Sequence, residues 1–153
     1  YYGDPTRPCT CSSTMVTRYQ KRISGPLMDR IDIHMQVPRV EYAKLKDMRQ
    51  GETSAEVRVR VEAARQRQRE RFEGTDIASN ADMRPAQIRK YCALDDACQN
   101  LMKTAMRQLQ LTARAYHRVL KLSRTIADLA GSEAITQVHL AEALQYRPKM
   151  DVI

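Results

Sequence analysis

The chain has no tryptophan, one phenylalanine and five glycines in 153 residues, so its interior is not built on large aromatics and flexible breaks are few. No apolar run approaches membrane-spanning length, and the chain does not open with a basic-then-apolar leader. No membrane partner is expected, and the expected location is cytoplasmic. There is no G-x-x-x-x-G-K-[ST] phosphate loop and no hydrophobic run ending in paired acids to hold magnesium. These residues alone therefore do not make a complete nucleotide-hydrolysing site. Acidic residues are also short, 18 against 26 Lys and Arg, which leaves a net charge of +8 and points to nucleic acid or nucleotide phosphate ahead of a membrane surface. What fills the 42% hydrophobic share is Leu, Ala, Val, Ile and eight Met, a helical composition.

The stretch that organises the rest is Ser24 to Val37, SGPLMDRIDIHMQV. Gly25-Pro26 breaks the helix expected over Ser13 to Ile23. Ile31, Ile33, Met35 and Val37 then alternate with Asp32, His34 and Gln36 in the two-residue period of a half-buried strand. Arg30 sits at the mouth of that strand between Asp29 and Asp32. Two readings stand for it: a locked salt bridge, or a donor aimed at an anion outside the fold.

PLMDRIDI resembles the arginine-finger segment of the AAA+ ATPases related to magnesium chelatase subunit I. The resemblance extends through YYGDPTRPCTC, RYQKRISGPLMDRIDIHMQVPRV, LTARAYHRVLKLSRTIADLAGSEAI and HLAEALQYR to the carboxyl-terminal part of the magnesium-chelatase-like ComM family. It implies a mainly α chain, an AAA+ helical lid bundle preceded by a short strand-containing edge of the AAA+ core. It also implies an ATP-driven ring homo-oligomer, with ATP and Mg in the parent protein and DNA branch migration as the activity. Arg30 is then the arginine finger and the catalytic candidate. Thr112-Ala113-Arg114 is similar to the sensor-2 motif, which makes Arg114 the nucleotide-binding candidate. The start at Tyr1 rather than Met reads as a piece of a longer protein.

The metal candidates are Cys9 and Cys11, a Cys-x-Cys pair in a loop, and two thiolates are half of a tetrahedral zinc site. The resemblance implies a second such pair just upstream of Tyr1, so zinc binding here is expected to be incomplete. Cys92 and Cys98 fall on helical patterns and read as buried small hydrophobes. In a cytoplasmic setting four cysteines do not argue for disulfides.

The expected domains are 1–38 (cysteine loop, arginine-finger segment and last strand), a linker over 39–52 with a helical turn or two from Tyr42 to Met48, and a lid over 53–153. In the lid, Thr53 with Glu56 has the form of a capping box. The helix it opens carries Val57, Val61, Ala64, Gln68 and Phe72 on one stripe, flanked by Arg58, Arg65 and Arg69 on one side and Arg60, Arg67 and Arg71 on the other. Those arginines either track a nucleic-acid backbone or cover the edges of a buried seam with their stems. The first case would make the chain a stand-alone basic helical module binding nucleic acid, the alternative to the ATPase reading. A Met-bearing helix near Leu94 to Leu109 follows. The central helix is expected to begin at Thr112 and end at Gly131, with Arg114, His117, Arg118, Lys121, Arg124 and Asp128 on its polar arc. In its first turn Arg114 sits unfavourably at the positive end of the helix dipole unless an anion lies opposite; as an exposed mismatch costs only about 0.3–1 kcal/mol, a plain surface arginine is the other reading. Ile135 and Leu140 are placed as a hydrophobic staple for the last helix, which Pro148 stops.

Overall fold

A computed structural model describes residues 1–4, 6–37, 40, 42, 46 and 51–147. The link expected to begin at Pro38, the helix stop expected at Pro148 and nearly all of the turn from Tyr42 to Met48 lie outside the described residues.

The helices are α1 (Ser13–Gln20), α2 (Gly25–Met28), α3 (Ser54–Arg71), α4 (Pro85–Tyr91), α5 (Asp96–Gln108), α6 (Ala113–Leu129) and α7 (Gln137–Gln145), with a 3-10 turn at Asn80–Asp82. Their starts follow from their caps. Thr53 and Glu56 form the reciprocal box, with the Thr53 amide donating to Glu56 Oε2 at 2.8 Å and the Glu56 amide to Thr53 Oγ1 at 3.3 Å. Asp95 accepts from the Cys98 amide at 2.7 Å, and Thr112 from the Ala115 amide at 3.1 Å. At the other end of α6, Gly131 adopts φ +74°, the left-handed conformation an L side chain resists. Its amide donates to the Asp128 carbonyl and that of Ser132 to the Ala127 carbonyl, the paired bonds of a Schellman stop.

The central helix is α6, packed against α7, α3, α4 and the 3-10 turn, while α5 packs on α7. The core joins Phe72, Met83, Ile88, Cys98, Met102, Val119, Leu120, Ile126, Ile135 and Leu140. Phe72 meets Tyr91 edge-on at 5.5 Å, and the staple pair Ile135 and Leu140 is buried. On α3 the stripe is covered at Ala64, Gln68 and Phe72 but not at Val57, so only its carboxyl-terminal half is core.

Two residues of the expected polar arc of α6, Arg124 and Asp128, are buried instead. Asp128 pairs with Arg71, whose Nη1 donates to Asp128 Oδ2 at 2.7 Å and to Asn80 Oδ1 at 2.9 Å. Asn80 Nδ2 donates to Asp128 Oδ2 at 2.8 Å, and Arg124 Nε lies 3.2 Å from Asp128 Oδ1. Arg124 also donates to the Glu133 and Ser132 carbonyls at 2.7 and 2.6 Å, fastening the turn after α6. The Asp128 hydrogen bond raises the Arg71 pKa, whereas burial lowers that of Arg124. One carboxylate shared by two guanidiniums and an amide leaves few buried polar atoms unpaired, which is what makes such a cluster tolerable inside a core.

The strand expected over Ile31–Val37 does not form; no described residue is in a strand. A strand exists by pairing its backbone with a neighbouring strand. Here the partners are a helix end: the His34 amide donates to the Tyr146 carbonyl at 2.9 Å, and Arg147 Nη1 to the Ile31 carbonyl at 2.9 Å. The apolar positions Ile31, Ile33, Met35 and Val37 are all exposed, as are Met15 and Tyr19 on α1. The two-residue pattern is present, but nothing described covers it.

Candidate phosphate-facing site

Arg30 follows the single turn of α2, and Arg114 lies in the first turn of α6. Both line one cleft of about 810 Å³, together with Asp32, His117, Arg118 and Lys121. Its apolar wall includes Ile33, Met83, Ile88 and Leu122. Of the four guanidinium and ammonium groups, two are taken. Arg118 Nη1 donates to Asp32 Oδ1 at 2.6 Å, and Lys121 Nζ to the Ala81 carbonyl at 2.6 Å.

The salt-bridge reading of Arg30 required Asp29 or Asp32 as its partner. Both acids are engaged elsewhere: Asp32 by Arg118, and Asp29 by Thr112, whose Oγ1 donates to Asp29 Oδ2 at 2.9 Å. Among the described residues no hydrogen bond or ion pair reaches the side chain of Arg30 or Arg114. Asp29 brings an anion to the amino end of α6 through the cap residue itself, offsetting part of the dipole mismatch at Arg114. His117 packs against Tyr116, ring centroids 5.5 Å apart. Two cations without side-chain partners among the described residues, lining one cleft, form an arrangement suited to a multivalent oxyanion.

The other candidates separate from this site. Cys9 and Cys11 stay in the loop before α1, where a backbone hydrogen bond from Cys11 lowers the Cys9 thiol pKa. No group of three or more His, Cys, Asp or Glu side chains among the described residues is placed to hold a metal. Cys92 and Cys98 are buried as expected, their thiols pushed up to about 11 by burial. Five of the six α3 arginines are engaged. Arg60 pairs with Glu52, Arg65 and Arg69 with Glu62, Arg71 with Asp128, and Arg67 donates to the Gly131 carbonyl. That disposition counts against α3 as a free basic track. The ties from Asp29, Asp32 and Ile31 to Thr112, Arg118 and Arg147 were missed by sequence reasoning. The acids flanking Arg30 were the only signal, and nothing in their spacing names α6 as their destination.

Comparison with known proteins gives first the class. Residues 51–147 match the family model for the C-terminal region of magnesium chelatase subunit ChlI, and residues 1–45 match the model for magnesium chelatase subunit ChlI. The chain belongs to this magnesium-chelatase family. Within it the chain is ComM-like: it is 43% identical over 137 residues to competence protein ComM of Haemophilus influenzae, covering 89% of this chain and 26% of that protein. It is 39% identical over 148 residues to the uncharacterised protein YifB of Escherichia coli, covering 96% of this chain and 28% of the relative. A Mycobacterium bovis protein, Mb2921c, is 31% identical over 145 residues, covering 95% of this chain and 28% of its own length. The chain thus spans about a quarter of the length of these relatives. Among the described residues no helix is long and apolar enough to cross a membrane.

Proposed function

We propose that the chain serves as the lid and arginine-bearing edge of a ring-forming AAA+ ATPase, with Arg30 as arginine finger and Arg114 as sensor-2 arginine. The observation that carries this is that the two guanidiniums have no side-chain partner among the described residues and line one cleft, while the neighbouring acids are occupied. Arg30 stabilises charge developing on the transferred phosphoryl oxygens, and Arg114 couples phosphate occupancy to the position of the bundle. ATP and magnesium are held by a phosphate loop and paired acids in the longer protein, since this sequence contains neither. Cys9 and Cys11 contribute half of a structural zinc site there. The remodelled substrate is DNA, a reading supported by the ComM likeness and the net charge of +8.

ATP turnover of the longer protein tests this. Arg30→Ala abolishes turnover and leaves nucleotide affinity within a few fold; Arg114→Ala weakens both. Because both arginines line the same cleft of one chain, both variants regain activity when mixed with a phosphate-loop variant whose own Arg30 and Arg114 are intact. Full activity of Arg30→Ala alone refutes the finger role, and rescue of only one variant refutes their joint presentation.

A further inference from the structure

The segment carrying Arg30 buries no side chain, yet it is tied to the bundle at four points. Asp29 receives the Thr112 hydroxyl, Asp32 receives Arg118, the Ile31 carbonyl receives Arg147, and the His34 amide reaches the Tyr146 carbonyl. Arg30 lies between the two tied acids. Thr112 and Arg118 bracket Arg114 on α6, and Arg118, one turn on from Arg114, shares its face of the helix. Arg147 is itself buried, with Nη2 unpartnered among the described residues, so the third tie is made inside the molecule rather than at a solvated rim.

We propose that Asp32 and Arg118, seconded by Asp29 and Thr112, are positioning residues that hold Arg30 in register with Arg114, so that two side chains distant in sequence meet one phosphate group. This rests on the phosphate reading of the cleft. It makes a prediction opposite in sign to plain electrostatics. Asp32 lines the cleft, so neutralising it raises the positive potential there and frees Arg118 as a third cation. Coulomb's law alone then calls for tighter anion binding. A positioning role calls for weaker binding, because Arg30 loses its place.

The test is titration of inorganic tripolyphosphate into this chain by calorimetry, with amide hydrogen exchange at Ile31 to His34 as the second readout. Asp32→Asn is expected to weaken tripolyphosphate about fivefold, the scale of one exposed ion pair, and to speed exchange of the His34 amide while central α6 amides are unchanged. Asp32→Arg combined with Arg118→Asp is expected to recover most of both. Unchanged or tighter binding in Asp32→Asn, or unchanged exchange at His34, overturns the proposal. Wild-type affinity in both Arg30→Ala and Arg114→Ala removes the phosphate reading instead, and the exchange readout then decides the tie on its own.

Discussion

Between Ala64 and Arg147 the chain encloses a core of aliphatic, methionine and cysteine side chains, whereas from Tyr1 to Val37 no described residue is buried. The two regions are held by different physics. The bundle is stabilised by apolar area removed from water around α6, with a buried ionic cluster of Arg71, Arg124, Asn80 and Asp128 at its edge. The ties between the described amino-terminal segment and the bundle are hydrogen bonds and the partly exposed Asp32–Arg118 ion pair, each of small net worth. A region held so lightly and showing Met15, Tyr19, Met35 and Val37 to solvent presents apolar surface of the kind that marks a contact face. It also places Arg30 along the cleft that Arg114 lines.

The sharpest contrast is between Asp128 and Asp32, each of which meets an arginine. Asp128→Ala strands Arg71 and Arg124 in the interior and is expected to cost about 3–5 kcal/mol in urea unfolding. Asp32→Ala, at an ion pair open to water, is expected to cost less than about 1 kcal/mol. Equal costs would erase the distinction between the regions. Next in size, Leu140→Ala empties a fully buried site and should lose about 2–5 kcal/mol, while Met15→Ala should stay within about 0.5 kcal/mol of wild type. Gly131→Ala meets both a positive φ and Arg67 Nη2 at 3.2 Å, and a loss of about 1 kcal/mol or more in thermal unfolding is expected. The smallest effect concerns pH. The Cys98 amide holds the Asp95 carboxyl below its usual value, so this cap contributes stability above the unfolded carboxyl pKa of about 3.9 and loses it as pH falls through the folded value. The melting-temperature advantage of wild type over Asp95→Ala should therefore narrow below about pH 4.

Much of the bundle was legible in the sequence because its signals are local. Thr53-Glu56, Thr112, Gly131 and the Ile135–Leu140 staple act within a turn or two of themselves, and each is found where its pattern placed it. The strand was misjudged because a two-residue period states which face would be covered, not what covers it. Arg124 and Asp128 were assigned to solvent by residue type. Their burial depends on Arg71 and Asn80 arriving from 57 and 48 positions away, which helical periodicity within α6 does not encode. The sequence singled out Arg30 and Arg114 through the motifs that carry them, and the structure sets both along one cleft. What sequence could not supply was that the acids beside Arg30 are spent on Thr112 and Arg118.

Whether Arg30 and Arg114 act on one anion is decided by a double-mutant cycle in this chain. Tripolyphosphate affinity is measured for wild type, Arg30→Ala, Arg114→Ala and the double variant. Each single change is expected to weaken binding, and the double change to fall short of their sum by about 0.5 kcal/mol or more, the coupling of residues that share a ligand. Strict additivity, or two single variants that bind like wild type, would contradict it.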